Sequence, residues 1–348
     1  MKTRIIRVNP DSFTDSELAY PAEVIRNGGL AVFPTETVYG IGGDATSPQS
    51  ARKIYAAKGR PSDNPLIIHI SRPDEAEKYA VTGPLYYRIA GQFMPGPITV
   101  IMDKRDIIPY EVTGGLDTVA VRCPEHPVAN ALIRLAGVPV AAPSANISGR
   151  PSSTSAEYAL HDFDGRVECI IDGGESRFGV ESTIVKITGD DSLILLRPGA
   201  VTADALRCVC GNVEISGAVT KAIGKDEHPI CPGMKYRHYA PEKPLTLVGG
   251  PDGERLAFFR EKLADKDTIV ICYSEQAAEL GTDGVIDIGG RDDLETQGHR
   301  IFTALRRCDE LPGSRIYANL PPTDGFGLAL YNRLIRAAAH TVIYVGKN

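Results

Sequence analysis

The residues best suited to chemistry gather between Leu30 and Ile70, in the stretch LAVFPTETVYGIGGDATSPQSARKIYAAKGRPSDNPLIIHI. Thr35-Glu36-Thr37 sets two hydroxyls and a carboxylate just after Pro34. Lys58 and Arg60 bracket Gly59, and Ser62, Asp63, Asn64 and His69 follow. Two cations and several hydroxyls near Gly40, Gly42 and Gly43 suit an anionic ligand such as a nucleotide phosphate, because charged donors and loop amides both bind phosphate oxygens. The same residues also fit an ordinary surface loop, with the cations on a last helical turn complementing the helix dipole.

Local signals say how these groups are held. Leu30–Phe33 is a short apolar run that Pro34 ends, so a strand is expected there. The glycines at 40, 42 and 43 are expected to turn the backbone sharply and bring it close to a ligand. Ser47-Pro48 reads as a helix start, a hydroxyl cap followed by proline at the first position. Ala51, Ile54 and Tyr55 supply the apolar stripe, and Gly59 ends the helix. Leu66–Ile70 reads as a second strand whose alternation sets His69 on the face opposite Ile68 and Ile70.

Composition narrows the class. A chain of 348 residues, 43% hydrophobic and 24% charged, is long enough for two domains of an ordinary globular protein. A formal charge of −6 speaks against broad, sequence-independent nucleic-acid binding. The 7 cysteines are scattered and odd in number, with no CxxC pair, which is usage for a reducing compartment. Cys208 and Cys210 sit in an apolar run and read as packed rather than metal-binding. The N-terminal segment lacks a long apolar core, and no apolar run approaches a membrane span. A cytoplasmic protein without membrane attachment is expected.

Further segments follow in order: PGPITVIM at 95–102, TVAVRCPEHP at 118–127, PVAAPSANISGRPS at 139–152, IIDGG at 170–174, VEST at 180–183 and LRPGAV at 196–201. With the 30–70 stretch, they make the chain resemble the threonylcarbamoyl-AMP synthase family, whose catalytic module is the YrdC-type domain. The resemblance covers about the first 205 residues, and the tail from about Pro244 resembles the second domain of the longer members. It implies a mixed α/β fold: an N-terminal YrdC-like twisted sheet with a concave site, and a smaller C-terminal Rossmann-like parallel α/β domain. The expected domains are 1–207 for catalysis, 208–243 as linker or lid, and 244–348.

The pattern along the chain agrees with that organisation. Strands are expected at Thr3–Val8, Ile98–Met102, Thr118–Arg122, Val138–Ala142, Glu168–Ile171, Ser182–Ile187 and Leu193–Leu196. Helices are expected at Ser16–Asn27, Pro73–Tyr79, Pro84–Phe93, Pro127–Ala136 and Val201–Cys210. The tail alternates strands at Leu245–Val248, Thr268–Cys272, Gly284–Ile288, Arg315–Ala318 and Thr341–Val345 with helices at Glu254–Leu263, Leu294–Cys308 and Gly327–Ala338, the pattern of a parallel sheet. Between the two, Met234–Pro241 concentrates two tyrosines, a histidine and two cations, more than a passive linker carries. Pro232–Pro241 is therefore expected to act as a lid. No GxxxxGK[ST] loop is present, and lone histidines such as His126 and His340 read as structural.

The resemblance implies a reaction and a set of residues. L-threonine, bicarbonate and ATP give threonylcarbamoyl-adenylate and pyrophosphate, a nucleotidyltransferase reaction that serves tRNA modification at the adenine next to the anticodon. Thr37, His69, Arg122, Ala142 and Ser182 match positions around threonine, Arg122 being the residue that holds its carboxylate. Lys58, Arg60, Ser144 and Asn146 match the catalytic positions around the phosphates and the carbamate. Arg60, Asn64, Thr118, Ser144, Ser152, Arg197 and Tyr239 match ATP contacts. Magnesium is expected with the triphosphate, held mainly by its oxygens. The implied partners are the small-molecule substrates and a transient encounter with the tRNA threonylcarbamoyl transferase complex; strong direct tRNA binding is not expected. Two other readings share the module: hydrogenase-maturation carbamoyl transfer, which needs parts absent here, and a non-enzymatic RNA-binding module.

Overall fold

The structure is a computed structural model that describes residues 2–221, 231 and 238–346. It divides into two compact units, Met1–Ser148 with Ser152–Lys235, and Gly149–Pro151 with Tyr236–Asn348.

The first unit is built on one mixed sheet. Its strands are β1 (Arg4–Arg7), β2 (Ala31–Phe33), β3 (Gly40–Asp44), β4 (Ile67–His69), β5 (Ile98–Asp103), β6 (Thr118–Arg122), β7 (Val140–Ala141), β8 (Cys169–Asp172), β9 (Thr183–Gly189), β10 (Ser192–Arg197) and β11 (Asn212–Ile215). Among the described residues they lie in the order β1-β8-β2-β3-β7-β4-β6-β5-β9-β10-β11. The helices that matter for the site are α1 (Ala19–Arg26), α2 (Pro48–Lys58), α3 (Pro84–Phe93), α4 (Tyr110–Thr113), α5 (Pro127–Ala136), α6 (Ala156–Phe163) and α7 (Ala203–Arg207).

Alternation along each strand divides the apolar residues between two faces. Val32, Ile68, Val100, Val121, Ala141 and Ile170 enter one large core with residues of α2 and α3. Their neighbours Ala31, Phe33, Val140, Ala142, Cys169 and Ile171 face the other way and pack with residues of α1 and α5. On that second face the apolar layer continues further along the sheet as a smaller cluster of Ile67, Ile101, Ala120, Ile184, Leu196 and Cys231.

Several elements differ from the sequence expectation. Gly40, Gly42 and Gly43 do not form an open ligand loop; they lie within β3, antiparallel to β2 and β7. A Cβ on Gly42 would stand 2.6 Å from Val140 Cγ1 and 2.7 Å from Phe33 Cε1, so glycine there serves close strand packing. The segment expected to be linker from 208 contains β11, which pairs parallel with β10. The helix expected over Val201–Cys210 covers only Ala203–Arg207, and of the cysteine pair Cys208 is exposed and Cys210 buried. Ser16–Asn27 begins as a turn of 3-10 helix before α1.

The second unit holds a smaller sheet of β12 (Leu245–Gly249), β13 (Thr268–Cys272), β14 (Val285–Asp287), β15 (Arg315–Asn319) and β16 (Val342–Tyr344), in the order β14-β13-β15-β12-β16 and parallel throughout. Its helices are α8 (Asp252–Leu263), α9 (Ser274–Leu280), α10 (Leu294–Glu310) and α11 (Gly327–Ala337). The sheet is the parallel α/β arrangement expected of the tail, with α9 as an unforeseen addition.

Candidate active site

Strand register assembles the centre of the site. His69 is paired with Arg122 across β4 and β6, and Arg122 with Thr99 across β6 and β5. These three side chains therefore stand in one row on the second face, where the apolar layer of Phe33 and Ala142 gives way to polar groups. Phe33 meets the His69 ring edge-on at 6.2 Å between centroids. The row continues through side chains: Thr99 Oγ1 lies 2.8 Å from Ser182 Oγ, and Arg197 donates to Ser182 Oγ at 3.2 Å and to its main-chain oxygen at 3.0 Å.

The loop after β2 folds onto this row. Thr35 Oγ1 donates to Val38 O at 2.6 Å, which uses its only hydrogen, so Thr37 is the donor in the 2.8 Å contact between the two hydroxyls. Glu36 Oε1 accepts from Arg122 Nη2 at 2.6 Å, and both side chains are about 95% buried. Burial alone would push the Glu36 carboxyl up; the charge and hydrogen bond of Arg122, with main-chain donors, hold it below the ordinary carboxylate range. Arg122 Nε is buried without a hydrogen-bond partner among the described residues.

His69 is the opposite case. Burial and the neighbouring Arg122 charge push it from its ordinary 6.5 down to about 3, so it is neutral near pH 7. Nδ1 lies 3.2 Å from Ile67 O, and since a carbonyl only accepts, Nδ1 carries the hydrogen of that bond.

A second group forms at the end of α2. Ser47 caps its start, accepting from Ser50 N, and Gly59 closes it at φ 61°, a left-handed conformation glycine adopts without strain. Lys58 is 1% exposed and donates to Ser144 O and Asn146 O, each at 2.5 Å. Ser144 Oγ donates to Asn146 Oδ1 at 2.6 Å, and Asp162 on α6 accepts from Ile147 N at 3.2 Å. Gly40 bridges Ser144, so β3 ties this loop to the Thr35–Thr37 loop. Arg60 donates to Asn64 O at 3.2 Å and Pro65 O at 3.0 Å, bracing the turn that leads into β4. Ser152 Oγ donates to Glu181 Oε1 at 2.6 Å, next in sequence to Ser182.

Thr37, His69, Arg122, Ala142 and Ser182 thus belong to one face of the first unit, and Lys58, Ser144 and Asn146 to one bonded cluster. Thr118 begins β6, about 13 Å from Arg122 at the strand's rise per residue. Tyr239 falls in the second unit, where it is buried against Phe302 at 5.2 Å and under the Arg333 guanidinium at 5.7 Å. Most of the lid expected at Pro232–Pro241, residues 232–237, lies outside the described residues. The sequence reading counted Glu36 among the polar groups but gave it no role, and it passed over Thr99, Glu181 and Asp162. Glu36 carried a signal, a carboxylate between two threonines after a strand; the other three have none without the fold. His126, read as structural, caps α5 by accepting from Val128 N.

The arrangement can hold a carboxylate at a buried guanidinium and position further anionic groups beside Lys58 and Arg60. It belongs to a mixed-sheet α/β unit whose buried and half-buried cations suit a small anionic ligand. A family model named for Sua5, YciO and YrdC and described as "Telomere recombination" matches residues 23–199, and one described as "Threonylcarbamoyl-AMP synthase, C-terminal domain" matches 201–339. The threonylcarbamoyl-AMP synthase of Bacillus subtilis is 42% identical over 95% of this chain and 96% of its own. That of Pyrococcus abyssi is 41% identical over 99% and 100%. The crystal structure of P. abyssi Sua5 complexed with L-threonine superposes with a TM-score of 0.89 at 40% identity, covering 99% of this chain and 100% of that one. The chain belongs to the threonylcarbamoyl-AMP synthase family, as the sequence motifs implied. Among the described residues, no helix is long and apolar enough to cross a membrane.

Proposed function

We propose that this chain makes L-threonylcarbamoyl-adenylate from L-threonine, bicarbonate and ATP, for the modification of tRNA next to the anticodon. The observation that carries this reading is Arg122, a guanidinium buried beside His69 and Thr99 whose Nε has no partner among the described residues. A forked, desolvated guanidinium suits an amino-acid carboxylate, and the related P. abyssi protein has been crystallised with L-threonine.

In this reading Arg122 holds the carboxylate, while Thr37, His69, Ala142 and Ser182 line the threonine pocket. The amine joins bicarbonate to form a carbamate and water. A carbamate oxygen then attacks the α-phosphorus of ATP, the bond from that phosphorus to the bridging oxygen breaks, and pyrophosphate leaves with the electron pair. Such a step needs positioning and charge neutralisation more than acid–base groups. Lys58 fixes Ser144 and Asn146 and adds its charge, Arg60 supplies a second cation, and Asn64, Thr118, Ser152 and Arg197 are assigned to the nucleotide. In this reading a magnesium ion is carried mainly by ATP's own phosphate oxygens. The product passes to a tRNA threonylcarbamoyl transferase in the cytoplasm.

The test is incubation with ATP, bicarbonate and labelled threonine, with mass-spectrometric detection of the adenylate and parallel measurement of pyrophosphate. Threonine-dependent formation of both supports the reading. Pyrophosphate release indifferent to threonine, or no labelled adenylate, overturns it.

A further inference from the structure

Glu36 is a buried carboxylate that touches the guanidinium of Arg122. It is 4% exposed, in a loop whose own main chain is fixed: Glu36 O accepts from Phe178 N at 2.9 Å. One carboxylate oxygen takes Arg122 Nη2 at 2.6 Å, and the other lies 3.4 Å from His126 N at the start of α5. Glu36 therefore links three separate elements, the loop after β2, the end of β6 and the cap of α5.

The bond pattern on Arg122 is one-sided. Nη2 is engaged by Glu36 and approaches Thr35 Oγ1 at 3.5 Å, whereas Nε is buried with no partner among the described residues. An unsatisfied buried donor on a charged group is costly, so a ligand oxygen at that edge would recover what the ligand-free site forgoes. Pinned at one terminal nitrogen, the planar guanidinium cannot rotate without breaking a bond between two buried charges. The same carboxylate balances the buried positive charge before any ligand arrives.

We propose that Glu36 is a positioning residue for Arg122, holding the guanidinium by Nη2 so that its Nε edge is presented to the carboxylate of the amino-acid substrate. The proposal rests on the threonine site proposed above. What matters in it is where the acceptor oxygen stands, more than the negative charge it bears.

Two variants separate place from charge. E36Q keeps an acceptor oxygen at the same reach and removes the charge. E36D keeps the charge and withdraws the oxygen by one methylene. Threonine affinity by calorimetry, and KM for threonine and for ATP separately, are measured on the full chain, with melting temperature as a folding control. E36D is expected to raise the threonine KM roughly tenfold or more, since misplacement by about 1 Å costs that much in an oriented site. E36Q is expected to lose less threonine affinity than E36D, because its amide oxygen keeps the hydrogen bond to Arg122 Nη2 while its NH2 gives up only the His126 N contact. KM for ATP should move in neither.

The reverse order, with Q weaker than D, would mean that charge alone matters and would overturn the proposal. So would equal threonine affinity in wild type and E36D, or a parallel rise for ATP. Where E36Q does not fold, E36D alone decides by the same criterion; if neither folds, Glu36 is a structural residue and the proposal falls. A wild-type chain that binds no threonine overturns this and the threonine site together, while a wild type that binds and reacts beside an unaffected E36D overturns this alone.

Discussion

Lys58 and Asn146 stand 88 residues apart in the chain and are joined by a 2.5 Å hydrogen bond from the ammonium to the main-chain oxygen. The same ammonium reaches Ser144 O, so a single buried cation at the end of α2 fixes the whole Ser144–Asn146 turn. Replacing Lys58 by Met keeps much of the bulk and removes the charged donor from both carbonyls. The expected cost is roughly 1–3 kcal/mol for each, visible as a lower melting temperature, together with weaker ATP binding. Unchanged stability with lost activity would instead make Lys58 a phosphate contact only.

Arg60 also has two duties. It braces the carbonyls of Asn64 and Pro65 and is the second cation assigned to the phosphates. Arg60→Ala is expected to lower stability by about 1 kcal/mol and turnover by roughly a hundredfold or more. Adenylate production measured beside a chemical melt separates the two. A folded variant with near wild-type turnover would remove Arg60 from the chemistry.

Arg122→Lys should raise the threonine requirement more than the ATP requirement. Lysine keeps a charge for Glu36 but gives up the fork and the Nε edge. An equal loss for both substrates would make Arg122 a general electrostatic residue.

The depressed His69 sets the sign of one pH effect. Between its ordinary 6.5 and about 3 the unfolded chain binds a proton there that the folded chain does not. Its contribution to stability is therefore full above 6.5 and is lost as the pH falls from 6.5 towards 3. His126, also pushed down by burial, acts in the same direction. Denaturant melts over pH 7 to 4 should show stability falling, and His69→Gln should flatten the slope by up to about 1.4 kcal/mol per pH unit. An identical slope in the variant would mean that His69 titrates normally in the fold.

Gly42→Ala tests the packing role found for β3. The added methyl would meet Val140 and Phe33 at 2.6 and 2.7 Å, contacts that force side chains or strands apart. A loss of roughly 1–3 kcal/mol is expected. A neutral substitution would return the glycines to the role of loop hinges.

What the sequence determined by itself were the local devices. Ser47-Pro48 and Gly59 set the limits of α2, the alternation of Leu66–Ile70 set His69 apart from Ile68 and Ile70, and the even strand–helix spacing of the tail specified a parallel sheet. Each depends on neighbours within one or two turns, so the order of residue types suffices. The motifs likewise named Lys58, Arg122 and Ser182 without saying what they touch. Only the tertiary structure decided the rest. The glycines at 40, 42 and 43 read as a loop because nothing nearby in sequence reveals Phe33 and Val140 packed against them. Thr99 joins the site through register with Arg122, and Asp162 through a loop held from α6, relations that no spacing encodes. Glu36 looked like one polar loop residue among several. It becomes the partner of Arg122 because β6 ends beside the loop that follows β2, and burial of both leaves each charge dependent on the other.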